Sequence, residues 1–243
     1  MISNIIFLVL AAGVPYYLLL EKIPGVKSKH IFLISVFLLM SAVALTFYLD
    51  TEHNPFFVVI SLTSAIFSIY KARQTTNFYK FAYYLIFVNA PFFIYFEGQG
   101  AMHSVSLLVS LVGIYLIARF YEKNYGSANY RYITGITLIR PYIGTYLTFY
   151  LIGLALYPPF PNSLFFLNYM FHSEPNLLWY VVVITLFFGN FHLAMGVMRK
   201  TLFGRPNPHI HYVQMSSMEK ATHTLIMVLL LLLSAYGIKE MLL

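Results

Sequence analysis

Eight apolar stretches, each close to the length of a bilayer-crossing helix, limit what this chain can fold into. A hydrocarbon core about 30 Å thick needs about 20 apolar residues per helix. The stretches are Ile2–Leu20, Ile31–Tyr48, Pro55–Tyr70, Tyr79–Phe96, Met102–Tyr121, Pro141–Leu156, Leu177–Met198 and Ala221–Leu242. They predict an all-α, polytopic membrane bundle of about eight transmembrane helices, with residues 1–243 forming one integral membrane domain.

Composition excludes the other broad classes of protein. Hydrophobic residues make up 60% of the 243 positions and charged residues only 9%, whereas a soluble domain carries about 25% charged residues. A chain this apolar is not disordered either. It has no cysteine, which excludes disulfides, thiolate metal sites and cysteine nucleophiles. The first stretch lacks a basic leader and has Pro15 where a signal peptide would have small residues, so we expect a retained span.

The basic residues predict the orientation of the chain. Fourteen of the fifteen lie in alternate loops, which are expected to be cytoplasmic. They are Lys22, Lys27, Lys29, Lys71, Arg73, Lys80, Arg119, Lys123, Arg131, Arg140, Arg199, Lys200, Arg205 and Lys220. The opposite side holds Lys239 with Asp50, Glu52, Glu97, Glu174 and Glu240. The pattern predicts a multi-pass protein of the inner (plasma) membrane with both termini outside.

The net charge of +7 is therefore mainly a signal of topology. The basic loops are expected to attract anionic lipid headgroups, so the lipid bilayer is the first predicted partner. No loop is long enough to form a nucleic-acid-binding domain, and we expect no nucleic acid as a partner.

Polar side chains within the stretches are the candidate functional residues, because polar groups inside a membrane are costly. His103 and His192 are candidate proton relays, since histidine titrates near neutrality. Asn89, Asn190 and Ser104 are candidate hydrating neighbours. The alternative is that these groups hydrogen-bond neighbouring helices and hold them together.

Other polar residues have simpler interpretations. Lys80 and Arg140 are candidate gates at the cytoplasmic face, or anchors whose charged ends reach the interface. His223 is expected at the interface. His209 and His211 form an H-x-H pair in a loop with no nearby carboxylate or cysteine to complete a metal site. We therefore expect no metal and no cofactor.

The stretch 157–163, with the sequence YPPFPNS, cannot be regular helix because proline removes amide donors. It predicts either a broken or re-entrant element or the outer end of the sixth span. Broken helices often form transporter sites. Signatures of hydrolases, kinases, proteases and metal enzymes are absent from the sequence, so we assign no catalytic residue.

Four segments, read in order, resemble a known family. They are Lys71–Tyr84 (KARQTTNFYKFAYY), Met102–Ile136, which opens MHSVSLLVS, Gly153–Phe166 (GLALYPPFPNSLFF) and Phe191–Pro206 (FHLAMGVMRKTLFGRP). Their order is similar to the later part of the proton-translocating antiporter-like subunits. These are chains M, N and L of NADH:quinone oxidoreductase (complex I) and their relatives in hydrogenases and multisubunit cation/proton antiporters. The resemblance covers residues 71–243, whereas residues 1–70 match poorly.

The resemblance implies a proton-coupled membrane subunit, and its departures imply a reduced one. Family members have about fourteen spans and paired lysine and glutamate residues inside the membrane. Here the lysine helix and its glutamate partner have no counterpart, and Leu107, Leu108 and Val109 stand where the helix of His103 would carry a lysine. The chain is expected to lack a complete proton pathway of its own.

These observations predict a shortened antiporter-like subunit of a respiratory, hydrogenase or inorganic-carbon transport complex. It would assist proton translocation or serve as a scaffold for other membrane subunits, without catalysing a reaction alone. Two alternatives stay open. One is an independent small-molecule transporter or binding protein with its site at 157–163, and the other is a membrane enzyme acting on lipid or quinone.

Overall fold

The computed structural model describes residues 2–48, 54–96, 100–131 and 133–242. Within these ranges the chain is all-helical, with no strand. The predicted outer acidic residues Asp50, Glu52 and Glu97 lie outside the described residues. The helices are α1 (Ile2–Leu10), α2 (Tyr17–Leu20), α3 (Ser28–Leu45), α4 (Pro55–Gln74), α5 (Phe78–Phe96), α6 (Ala101–Tyr125), α7 (Ile136–Ile139), α8 (Pro141–Leu154), α9 (Pro161–Phe171), α10 (Leu177–Thr201) and α11 (Ser217–Leu242).

Five of these helices, α3, α4, α6, α10 and α11, are long and apolar enough to cross a membrane. The surfaces of α3, α4, α10 and α11 agree with that role, because large apolar side chains remain exposed along them, whereas α6 is mostly buried. Examples are Phe37, Ile66, Phe188 and Leu232. A surface of this kind is stable in contact with lipid. The fold is therefore a helical bundle of a multi-pass membrane protein.

Helix α5 lies at the centre of the bundle. Every residue from Phe78 to Phe96 is buried except Lys80 and Tyr95, which are partly exposed. Helices α3, α4, α6 and α10 pack around it, as expected for a helix that is apolar on all sides. Pro91 lies inside α5 without ending it, because neighbouring helices in a membrane bundle tolerate the missing amide donor.

The first predicted span is not one continuous helix. It is divided into α1 and α2 by a non-helical link that begins at Ala11. Ala12 has a φ of 60°, and a Cβ on Gly13 would lie 2.5 Å from the Ile94 side chain. Pro15 follows in the same link. The chain therefore turns where it packs against α5, and glycine leaves room for the Ile94 side chain.

The predicted break at 157–163 is present. Helix α8 ends at Leu154, and a separate helix α9 begins at Pro161 and has 11 residues. At about 1.5 Å per residue α9 is about 16 Å long, too short to cross a bilayer. It packs against α6 and α11. Of the two interpretations, the structure has the broken element.

Three ion pairs join the basic loops at one end of the bundle, which we call the basic end. Lys29 lies 3.3 Å from Glu122, Lys80 lies 3.9 Å from Glu21, and Lys123 lies 3.5 Å from Glu219. Each pair connects two different loops, so all four loops that the charge pattern groups together do share one end. Partly exposed ion pairs add little stability, but they show which helix ends are neighbours.

A short link of main chain ties two of these loops together at the basic end. Phe78 N donates to Ala128 O (3.1 Å) and Tyr130 N donates to Thr76 O (2.8 Å). The hydroxyl of Tyr130 donates to Thr75 O (2.8 Å), and burial raises the pKa of that hydroxyl above its ordinary value. The link fixes the start of α5 relative to the end of α6.

Candidate functional site

A buried network of one histidine and three asparagines joins four helices. Asn89 comes from α5, His103 from α6, Asn162 from α9 and Asn190 from α10. All four side chains are buried. Asn89 is nine residues from Lys80, and Asn190 nine from Arg199, so each lies about 14 Å from the basic end. This places the network deep in the bundle.

Asn89 and Asn190 form a closed amide pair. Asn89 Nδ2 donates to Asn190 Oδ1 at 3.0 Å, and Asn190 Nδ2 donates to Asn89 Oδ1 at 2.8 Å. Asn89 Nδ2 also donates to Leu85 O at 2.8 Å. These bonds fix the orientation of the Asn89 amide, because its nitrogen faces a carbonyl of its own helix. Its oxygen is therefore directed toward His103.

The ring of His103 lies between two oxygen acceptors. Nε2 is 3.3 Å from Asn89 Oδ1, and Nδ1 is 3.1 Å from the main-chain carbonyl oxygen of Asn162. A neutral imidazole has one N–H and can donate to only one of them, whereas an imidazolium has two. Complete burial opposes the charged ring, and the two acceptors favour it. In the neutral ring one of the two contacts therefore lacks a hydrogen, and only an imidazolium fills both.

Aromatic rings enclose this histidine. The ring of Phe92 lies 4.6 Å from that of His103, centre to centre, and the ring of Phe166 lies 6.3 Å away. Asn162 Nδ2 donates to Gly153 O at 3.2 Å. These contacts shield the network from lipid and hold α9 against α8. They explain why the first turns of α9, which follow the break, are buried.

The serines of α6 have separate roles. Ser104 Oγ donates to Gly100 O (3.2 Å) and Ser106 Oγ donates to His103 O (2.9 Å), so both are bonded to their own helix. Ser110 is buried, and its Oγ has no hydrogen-bond partner in the described part of the chain; the same holds for Asn162 Oδ1. Both atoms can bind a water molecule.

The buried polar side chains form a neutral set. Across the described ranges they are serine, threonine, asparagine and histidine, and none is aspartate, glutamate, lysine or arginine. No three side chains of the kinds that ligate metals come together in the same ranges. The network is held by hydrogen bonds, and His103 is its one titratable side chain.

The other predicted site residues lie outside the network. His192 is exposed on α10, in a groove at the basic end. Lys80 forms the ion pair with Glu21. Arg140 Nε donates to Tyr212 O at 2.9 Å, so it ties the loop after α10 to the start of α8.

His223 is buried, one turn after Glu219 on α11. Tyr150 OH lies 2.9 Å from its Nδ1, and the ring of Tyr146 stacks on it at 5.0 Å. His223 also lines a groove of about 630 Å³ between α6 and α11, together with Arg119, Lys123 and Glu219. Burial arises because α8 packs over the first turns of α11.

Residues 157–163 divide into an exposed tip and a buried base. Tyr157, Pro158 and Pro159 are exposed, while Asn162 and Ser163 are buried. None of them lines the groove beside His223 or the groove that contains His192. Asn162 is the network member that sequence reasoning did not single out. The available signal was a polar pair directly after Pro161 at the start of an apolar run.

Comparison with known proteins adds no identification, since no family model and no curated protein matches the chain.

Proposed function

We propose that the chain is a shortened antiporter-like membrane subunit of a larger ion- or proton-coupled complex, and that His103 relays protons within it. The parent complex is of the respiratory, hydrogenase or inorganic-carbon transport type. The chain crosses the inner membrane about eight times, with its basic end in the cytoplasm and both termini outside. The observation that carries the relay is the placement of the His103 ring between two carbonyl acceptors.

The proposed relay uses the two nitrogens of one ring. A hydrated proton adds to the ring nitrogen that lacks one, and the resulting imidazolium donates to Asn89 Oδ1 and to the Asn162 carbonyl together. These two oxygens only accept hydrogen bonds, so a water molecule takes the other proton and the ring is left as the alternative tautomer. Asn190 holds Asn89 in the orientation that this step needs.

Polar groups on α6, α8 and α11 support a route from His103 toward the basic end. Ser110 lies two turns beyond His103 on α6. Tyr150 packs over Gly113, whose Cβ position is 2.5 Å from the ring, and its hydroxyl bonds His223. His223 opens on the groove of Arg119 and Lys123. Water bound between these groups would complete the route.

The neutral character of the interior favours a subunit over an independent pump. Charged pairs inside a membrane are what couple proton movement to a driving reaction, and the described buried residues contain none. A partner membrane subunit would supply them. Helix α11 offers a surface for that contact, because Leu225, Leu229, Leu231 and Leu232 are all exposed on it.

Two of the four network residues lie within segments that resemble the antiporter-like family, and the other two lie close to such segments. His103 lies in the second segment and Asn162 in the third, while Asn190 directly precedes the fourth. The first segment leads into the helix of Asn89. This coincidence supports placing the chain in that family as a reduced member.

Native mass spectrometry of the gently solubilised protein tests the subunit claim. We expect the chain to be released together with one or more integral membrane partners. A stable monomer that conducts protons alone would contradict the proposal and would favour an independent transporter.

Proton flux tests the relay claim. The co-purified complex is placed in liposomes with an internal pH dye, and wild type is compared with His103→Ala. His172→Ala serves as control, because His172 is exposed at the end of α9, where its Nδ1 lies 2.8 Å from Asn168 O. We expect a loss of at least about tenfold for His103→Ala only. Unchanged proton flux in His103→Ala would contradict the relay and leave only the scaffold role.

A further inference from the structure

A second groove lies at the basic end, between the last turns of α4 and α10. Its volume is about 430 Å³. It is lined by Ala72, Arg73, Tyr130, His192, Leu193, Met195, Gly196, Val197, Arg199 and Lys200. It belongs neither to the buried network nor to the groove beside His223, and it contains His192, the histidine that the network leaves out.

The charge of this groove is positive and not neutralised. Arg73, Arg199 and Lys200 form no hydrogen bond or ion pair through their side chains with any described residue, and no carboxylate lines the groove. Lys29, Lys80 and Lys123, at the same end, each have a glutamate partner. The C-termini of α4 and α10 contribute a partial negative charge. This charge is smaller than the three positive charges of the groove.

Gly196 lies on the α10 side of the groove. His192, Gly196 and Arg199 share a face of α10, since they are four and three residues apart. A Cβ on Gly196 would meet nothing within 4 Å, so the middle of this face is open. Toward the membrane interior the same region continues as exposed apolar surface, with Ile66 and Tyr70 on α4 and Phe188 on α10.

We propose that this groove binds one anionic phospholipid. The phosphate lies against Arg73, Arg199 and Lys200, His192 lies beside the glycerol region, and the acyl chains run along the exposed apolar faces of α4 and α10. The ends of two helices long enough to span a membrane lie where headgroups are found. A soluble anion would use the cations but not the apolar surface, which is why the lipid is the occupant.

Lipid titration followed by native mass spectrometry tests the proposal on the full-length protein in detergent. Phosphatidylglycerol is compared with phosphatidylcholine of the same acyl chains. We expect tighter binding of phosphatidylglycerol. The double variant Arg73→Gln/Arg199→Gln should weaken it about fivefold per cation removed, or roughly 25-fold. Gly196→Leu, which fills the groove without changing charge, should also weaken it.

The control is Arg131→Gln/Arg205→Gln, which removes the same charge at exposed positions that do not line the groove. We expect near wild-type binding for this variant. Equal loss in both double variants would overturn the proposal in favour of general attraction by a basic surface. Equal affinity for the two lipids, or displacement by millimolar inorganic phosphate, would also overturn it. Thermal melting of each variant confirms that the protein is folded.

Discussion

At the residue scale, the amide pair of Asn89 and Asn190 has the most defined energetic role. Two hydrogen bonds join α5 to α10, and Asn89 bonds Leu85 O and faces His103 as well. Leaving a buried amide without its hydrogen-bond partner destabilises the folded protein. The pair therefore fixes α10 against the central helix whether or not a proton moves.

We predict that Asn190→Leu lowers the free energy of unfolding by about 1–2 kcal/mol and that Asn89→Leu lowers it further. The loss is larger for Asn89→Leu because Asn89 has more hydrogen-bond partners than Asn190. Thermal melting in detergent measures both. The double variant should cost less than the sum of the single variants, because the partners are removed together. Strictly additive losses would show that the amides do not interact.

A second prediction at this scale concerns Gly113. A Cβ here would lie 2.5 Å from the ring of Tyr150, which is fully buried and bonded to His223. Gly113→Ala should therefore lower stability by about 1–3 kcal/mol through overpacking. Gly196→Ala is the matched control, since its Cβ meets nothing, and helix propensity predicts a gain of up to about 1 kcal/mol. Equal effects would contradict the packing of α6 on α8.

At the element scale, α2 is attached to α5 by one carboxylate. Tyr83 OH and Tyr84 OH both donate to Glu21 Oε1, the latter at 2.9 Å, and Lys80 lies 3.9 Å from the same oxygen. Tyr17 adds a hydrogen bond to Ser68 of α4 at 3.0 Å. These contacts hold the broken first segment against the central helix.

Removing that carboxylate should release the segment. Glu21→Ala is expected to lower the free energy of unfolding by about 2–3 kcal/mol, because two buried hydroxyls lose a charged acceptor. Glu174→Ala, at an exposed position after α9, is the control and should have little effect. Chemical denaturation monitored by circular dichroism compares them. Matching losses in the two variants would mean that Glu21 does not anchor α2.

Sequence reasoning located most helices well, because long apolar runs bounded by charged residues have few other solutions. It predicted the break at 157–163 but left open whether a separate element follows, and it treated the first stretch as one span rather than as α1 and α2. Both depend on close contacts between distant segments, such as Gly13 with Ile94, that periodicity does not contain. The same reason limits what the sequence predicts about the site. His103, Asn89 and Asn190 could be chosen as polar residues in apolar runs, but which of them meet depends on how helices pack.

At the scale of the whole molecule, the basic end unites all four positively charged loops. Its ion pairs show that these loops lie at the same end of the bundle. The natural chain has no cysteine, so a single introduced cysteine reports its own location without background.

We predict that Arg131→Cys reacts with a membrane-impermeant maleimide only in inside-out vesicles and that His172→Cys reacts only in intact cells. Both positions are exposed, and they lie on opposite faces in the proposed topology. The cysteine-free protein controls for background. Labelling of both variants from the same side would contradict the eight-span arrangement.

The central claim is that His103 moves protons rather than only joining helices, and one comparison separates the two roles. His103→Gln keeps a side chain that can hydrogen-bond Asn89 and the Asn162 carbonyl but cannot become an imidazolium. We predict a melting temperature near that of wild type with proton flux reduced at least about tenfold, and no loss for His172→Gln. Wild-type flux through the His103→Gln complex would contradict the account.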